Sequence, residues 1–221
     1  MEAAARSRLS VDEHLARADP DLGRLIAAVT AEVGRQSVEP SLTPPFEALI
    51  KAIVYQSVSG KAAAAIFLRL KAALNSAIIP AKVVALSPQE LMKLGLSGAK
   101  ARSIRALGEW FTTNRGLAKA LPTLSDAEIV ETLTAIPGIG AWTVNVFLIF
   151  NLGRPDVLPA ADRGIRRGMQ LAYRMRDVAT VKEVLERSQR WMPYRSIAAK
   201  YLWQAARLKR TQNNANEETR P

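Results

Sequence analysis

The chain has 221 residues, 48% of them hydrophobic and 23% charged, the balance of a globular protein that can bury a sizeable core. It has no cysteine and one histidine, His14, which excludes disulfides, thiolate zinc sites, cysteine-ligated iron–sulfur clusters, cysteine nucleophiles and multi-histidine metal centres. The remaining chemistry rests on carboxylates, hydroxyls, lysines or the backbone, since a Ser-His-Asp triad would have to use that one histidine near the start.

A net charge of +11 points to a polyanionic partner. The excess is regional: residues 1–60 carry a net of −2 and residues 61–221 a net of +13. From Arg187 to Asn216 there are seven basic side chains and no acidic one, either a solvated face or a surface for nucleic acid. No run approaches the roughly 18 apolar residues of a membrane span, and the start lacks the apolar core of a secretory signal, so an intracellular protein is expected, in the cytoplasm or nucleoid if bacterial.

Apolar residues recur at helical spacing nearly everywhere, as in Leu22, Leu25, Ile26, Val29 and Val33, and no strand alternation competes. The predicted helices in chain order are 11–17, 21–33, 45–55, 60–74, 88–94, 99–114, 126–135, 141–150, 163–174, 181–191 and 195–209, with a frayed tail after Thr211. Ser87–Glu90, Ser125–Glu128 and Thr180–Glu183 read as capping boxes, in which hydroxyl and carboxylate satisfy orphan N–H groups at a helix start. Gly34, Gly95 and Gly153 read as stop signals.

One connection carries more than packing. The predicted helix 126–135 runs into Ile136-Pro137-Gly138-Ile139-Gly140, after which Ala141-Trp142-Thr143 begins another helix. Two glycines let the backbone turn and approach another surface with no Cβ in the way, and the N–H groups of the following helix point outward, a geometry suited to phosphate. An ordinary tight turn reads the same way in isolation.

IPGIGAWT at 136–143, with Asp162 of VLPAADRGIRR twenty residues after Trp142, resembles the helix-hairpin-helix (HhH-GPD) DNA glycosylases, in particular the AlkA and Mag type of 3-methyladenine DNA glycosylase. Residues 45–74, 95–107 and 190–203 resemble further segments of that family, in the right order, so that the likeness runs from about Asp19 to Leu208. It implies an all-α, two-lobed fold, with a central lobe at 45–156, a second lobe from 1–44 plus 157–221, and Asp162 in the cleft between them. The longer bacterial members carry an N-terminal β-rich domain, which this chain is too short and too helical to hold.

The resemblance also implies roles. Asp162 would be the catalytic carboxylate, stabilising the oxocarbenium-like charge that forms as an N-glycosidic bond breaks and orienting the attacking water. It also reads as the N-cap of the helix that starts at Arg163, and the two roles are compatible. Asp156 is the nearest competitor and reads as structural. Trp142 and Trp203 would wall the pocket for a flipped base, where an indole favours a cationic alkylated purine; both also fit as packing residues, as do Tyr55, Trp110 and Tyr194. Val146 and Arg163 stand where relatives can have tyrosine.

At residue 142, members with strand-cleaving lyase activity have a lysine that forms a Schiff base, so Trp142 implies a monofunctional enzyme without that activity. Gly138, Gly140, Lys100 and Arg102 would hold the DNA backbone, with a monovalent cation able to sit on the carbonyls of Ile136 and Ile139. The loop of Gln56, Ser57, Val58 and Ser59 aligns with the segment whose side chain fills the gap left by the flipped base, and Ser57 is small for that task. The implied function is hydrolytic removal of 3-methyladenine, with 7-methylguanine and hypoxanthine as further substrates, from double-stranded DNA in base excision repair, by a monomer with no cofactor. Another base specificity on the same scaffold and a non-catalytic DNA-binding module remain alternatives, though a module that only binds has no use for a carboxylate that repels phosphate.

Overall fold

The structure is a computed structural model that describes residues 10–218, with side chains as far as 213. Thirteen α-helices and no strand occur among the described residues. In order these are α1 (Val11–Ala18), α2 (Pro20–Val33), α3 (Pro45–Tyr55), α4 (Gly60–Ala73), α5 (Pro80–Ala85), α6 (Pro88–Lys93), α7 (Gly98–Thr113), α8 (Arg115–Ala120), α9 (Asp126–Thr134), α10 (Ala141–Phe150), α11 (Arg163–Ala172), α12 (Val181–Ser188) and α13 (Arg195–Glu218). Short 3-10 turns follow α8 at Leu121–Thr123 and α12 at Gln189–Trp191.

The three predicted capping boxes all form, and a fourth, Ser10 with Glu13, starts α1. Two helices, α5 and α8, were not predicted. Each has only six residues, too few to show a helical period, and α5 is announced only by Pro80 at its first position. The tail departs from expectation in the other direction. α13 does not fray after Thr211 but continues to Glu218, because no glycine or proline interrupts it from Arg195 onward.

The chain divides into two compact units, one of residues 39–153 and one of residues 1–38 with 154–221. In the 39–153 unit, α10 is apolar nearly all round and buries Val144, Phe147, Leu148 and Ile149. It packs on α9 and on α3, whose Phe46, Leu49, Ile50, Ile53 and Val54 are also buried. α7 lies against α3, α5 and α6, with Ala101, Ile104, Leu107 and Phe111 turned inward.

In the other unit, α11 buries Ile165, Met169 and Ala172, one stripe at helical spacing, and crosses α13 closely. Gly168 permits the crossing, since a Cβ there would fall on the backbone carbonyl of Leu202. The far end of α11 is anchored by a buried carboxylate. Asp19 caps α2 by accepting from the Leu22 N–H at 3.2 Å, and its other oxygen accepts from the Trp191 indole at 3.1 Å and from the Tyr173 hydroxyl. Tyr173 is the C-cap of α11, and burial, reinforced by its bond to Asp19, pushes its hydroxyl well above the usual tyrosine range. A carboxylate this buried is tolerable because three donors satisfy it.

Candidate active site

α11 begins at Asp162, and the chain reaches it along a tethered segment. The Ser196 hydroxyl accepts from the Val157 N–H at 2.9 Å and donates to the Val157 carbonyl at 3.1 Å, while the Ser196 N–H donates to the Pro155 carbonyl at 3.0 Å. Asp156 is bound in a fork by Arg195, at 2.7 Å from Nε and 2.8 Å from a terminal nitrogen. That pairing gives Asp156 a structural role, clamping the segment before Asp162 to the start of α13.

Asp162 is half-buried, with Oδ1 accepting two hydrogen bonds, from the Ile165 N–H at 2.9 Å and from the Trp203 indole N–H at 2.8 Å. The first makes Asp162 the N-cap of α11 and the second ties it to the middle of α13. The carboxylate is thus fixed by two elements and cannot rotate without losing both bonds. Gly164 makes the arrangement fit. A Cβ there would lie 2.8 Å from Trp203 Cδ1 and 2.9 Å from Asp162 Oδ1, so only glycine leaves room for the indole beside the carboxylate. Neither the Trp203 bond nor the role of Gly164 was read from the sequence. The signal available was a glycine two residues beyond a capping aspartate.

Trp142 is half-buried in the first turn of α10 and belongs to the 39–153 unit, whereas Asp162 and Trp203 belong to the other. Of the aromatic residues read as packing, Tyr194 stands edge-on to His14 with ring centres 5.1 Å apart, Trp110 meets Phe111 at 5.3 Å, and the Tyr55 ring lies 5.9 Å from the Lys51 ammonium.

The turn between α9 and α10 is pinned by Ile136 and Ile139, both buried, while Pro137, Gly138, Gly140 and Ala141 are exposed. The Ile139 N–H donates to the Ile136 carbonyl at 3.0 Å, closing the turn. Gly138 has φ +83, and a Cβ on it would fall on the Ser103 hydroxyl of α7, so its glycine is required by the fold itself. Gly140 differs: its φ is −99 and a Cβ there would meet nothing within 4 Å. Gly140 is also the N-cap of α10 and supplies no side-chain acceptor, while its carbonyl accepts from the Thr143 N–H at 2.9 Å. A cation at this turn would have to use backbone carbonyls, because among the described residues no three His, Asp or Glu side chains converge. The Ile136 carbonyl already serves Ile139 and keeps a second lone pair for such an ion.

Arg102 is exposed on α7. Lys100 is half-buried instead, and its ammonium donates to the Val54 carbonyl in the last turn of α3 at 2.8 Å. Burial lowers the Lys100 ammonium below the usual lysine range. In the loop after α3, the Gln56 amide donates to the Thr143 hydroxyl at 2.6 Å, Ser57 adopts φ 52 and is exposed, Val58 is 41% exposed, and Ser59 caps α4. The apolar side chain offered to solvent in that loop is therefore Val58.

An all-helical fold with a glycine turn between two helices and a doubly held aspartate at the start of a later helix matches a known class. The chain belongs to the HhH-GPD superfamily of base excision DNA repair proteins, whose match spans residues 50–194 and so includes the loop 56–59, the turn 136–140 and Asp162. Two of the relatives it resembles are matched over nearly their whole length. It is 35% identical to a protein of Schizosaccharomyces pombe named DNA-3-methyladenine glycosylase 1, across 94% of this chain and 91% of that protein. The solved structure of an S. pombe 3-methyladenine DNA glycosylase in complex with abasic DNA superposes with a TM-score of 0.79 at 34% identity, covering 88% of this chain and 95% of the other. A DNA-3-methyladenine glycosidase from Bacillus halodurans superposes with a TM-score of 0.74 at 31% identity, covering 93% of each chain. No described helix is long and apolar enough to cross a membrane.

Proposed function

We propose that the protein is a monofunctional DNA glycosylase that hydrolyses the N-glycosidic bond of alkylated purines, chiefly 3-methyladenine and also 7-methylguanine and hypoxanthine, in intracellular base excision repair. The observation that carries the reading is the fixing of Asp162 through Oδ1, by the α11 amide of Ile165 at 2.9 Å and the Trp203 indole at 2.8 Å. A carboxylate held in this way is preorganised for charge that develops beside it. The names of relatives at up to 35% identity supply the substrate class.

In this reaction the bond from C1′ to the purine nitrogen breaks, and its electron pair leaves with the base. Positive charge grows on the deoxyribose and is stabilised by Asp162. A water oxygen then bonds to C1′ and gives its proton to Asp162 or to solvent, leaving an abasic site. An N-alkylated purine is cationic before cleavage and leaves as a neutral base without a general acid, whereas hypoxanthine, neutral before cleavage, leaves as an anion that takes a proton from solvent. Trp203 supplies aromatic surface for the extruded base through its ring face, because its N–H is given to Asp162, and Trp142 of the 39–153 unit offers an indole of its own. Trp142 also replaces the amine that Schiff-base chemistry needs.

Gly138, Gly140 and the start of α10 hold backbone phosphate, with Arg102 as a further contact, and the exposed loop tip of Ser57 and Val58 enters the duplex. Phosphate contacts position without reading sequence, as an enzyme that scans double-stranded DNA as a monomer requires. The test is to identify the free bases released from methylated genomic DNA, with unmodified DNA as control. Release of methylated purines supports the proposal. Release of a different damaged base, or of none, overturns it.

A further inference from the structure

The segment between α3 and α4 is held at both ends and in the middle. Lys100 of α7 donates to the Val54 carbonyl at 2.8 Å, Gln56 donates to Thr143 of α10 at 2.6 Å, and the Ser59 hydroxyl accepts from the Ala62 N–H at 3.3 Å. Between these ties Ser57 and Val58 are exposed, with Ser57 in the left-handed region. The same two helices hold the glycine turn. Ser103, one turn beyond Lys100 on α7, fills the space under Gly138, and Thr143 lies three residues beyond Gly140 on α10. Thr143 is only 1% exposed, so its hydroxyl is set in the core rather than on a mobile surface.

Lys100 is the informative residue. An ammonium whose task was to meet phosphate would gain by standing in solvent, where its three N–H groups are well hydrated. Here it is drawn under the loop, partly desolvated, with a donor spent on a carbonyl that ends α3.

We infer that Lys100, Gln56 and Thr143 are positioning residues that lock the Ser57–Val58 tip in register with the turn 136–140, so that the side chain entering the duplex and the amides holding phosphate act at a fixed spacing. The inference rests on the glycosylase reading above. Extruding a paired base loses stacking, and a tip that is already ordered in the unbound protein has no ordering entropy to lose at that moment.

The test uses Lys100→Met, Thr143→Val and Thr143→Ser in the full chain. The first reading is the slope of log affinity against log salt on undamaged duplex, which falls by about one for each phosphate contact removed. Lys100→Met should leave that slope unchanged, and a slope shallower by about one would make Lys100 a phosphate contact and overturn the inference. The second reading is single-turnover release of 7-methylguanine from a fully paired duplex and from the same lesion opposite an abasic gap, where no partner strand base holds it.

Lys100→Met and Thr143→Val should each lose about tenfold on the paired substrate and less than about twofold on the other, while Thr143→Ser, which keeps the hydroxyl, recovers the parent rates. Equal losses on both substrates would mean a general structural role, and no loss in either variant would mean no role; both outcomes overturn the inference. The salt reading needs no base release. If the parent released no methylated purine, the glycosylase reading would fall while the slope still decided whether Lys100 meets phosphate.

Discussion

Asp162→Asn separates charge from structure at this site. Asparagine ranks with aspartate as an N-cap and retains Oδ1, the atom that accepts from Ile165 and Trp203 in the parent. The variant should therefore fold, with stability within about 1 kcal/mol of the parent. The lost charge is a different matter. A unit charge roughly 4 Å from a developing cation, at an effective dielectric constant of about 20, contributes about 4 kcal/mol. That is about a thousandfold in rate.

Affinity for duplex DNA should be unchanged or slightly raised, since a carboxylate near phosphate is repulsive. Single-turnover release of 7-methylguanine reads the first effect, fluorescence anisotropy on abasic duplex the second and thermal unfolding the control. Release within about tenfold of the parent rate, with an intact unfolding transition, would refute the assignment of Asp162 as the charge that stabilises the transition state. Asp162→Ala is the weaker experiment, because it removes the cap at a cost of about 1 kcal/mol and strands the indole N–H, mixing folding with chemistry.

Gly140→Ala should leave the melting temperature unchanged or slightly raised, because its added methyl meets nothing within 4 Å, yet weaken binding to undamaged and damaged DNA alike in an anisotropy titration; loss confined to one lesion would argue against a phosphate role. Gly138→Ala should instead lower the melting temperature, because its methyl falls on Ser103 at a φ of +83. No covalent adduct with abasic or lesion DNA should be trapped by borohydride, and a robust lysine-dependent adduct would move the protein to the lyase class.

Acid should loosen the helix starts. Glu13 and Glu183 are held below the usual 4.5 first by backbone bonds to Ser10 and Thr180, and Glu90 and Glu128 first by the hydroxyls of Ser87 and Ser125. Their folded values being the lower ones, the stability they contribute is complete above about pH 4.5 and is lost as pH falls through them. The parent's melting temperature should then drop more across that window than that of a variant with all four changed to glutamine.

Legibility in the sequence followed the range of the interactions. Capping boxes at Ser87, Ser125 and Thr180 could be read because hydroxyl and carboxylate lie three residues apart, and each formed. The stripe of Ile165, Met169 and Ala172 is equally local. Asp162 could be singled out only through the family resemblance of the glycine turn and the segment around it. What held it could not, because the Trp203 indole arrives from 41 residues further on and no period links them.

Lys100 shows the same limit from the other side. Its charge and its place after Ser97-Gly98 suggested a contact to DNA, yet its ammonium bonds to a carbonyl 46 residues earlier in the chain. A lysine reads alike in sequence whether it faces phosphate or caps a helix end, and tertiary placement decides. Short helices such as α5 and the late end of α13 were missed for want of a full period or a stop residue.

On the proposed function, specificity turns on which side chain of the loop 56–59 enters the duplex. The family resemblance points to Ser57, whose hydroxymethyl group would replace little of the lost stacking, a loss of roughly 1–3 kcal/mol per base. Extrusion would then depend on lesions that stack or pair weakly, and hypoxanthine, neutral and fairly well paired, should be released poorly beside cationic 3-methyladenine. Ser57→Leu should raise hypoxanthine release more than 3-methyladenine release, because a larger wedge helps most where the lesion itself helps least.

The loop geometry offers a rival. Ser57 does not cap α4, a task done by Ser59, and the exposed apolar side chain of the tip is Val58 at 41% exposure. Leucine at a φ of 52 also adds backbone strain, so unfolding must be followed in parallel. Single-turnover rates on both lesions decide between them. A rise in the hypoxanthine to 3-methyladenine ratio for Ser57→Leu, with Val58→Ala near the parent, assigns the wedge to Ser57, whereas an unchanged ratio together with a large loss in Val58→Ala assigns it to Val58.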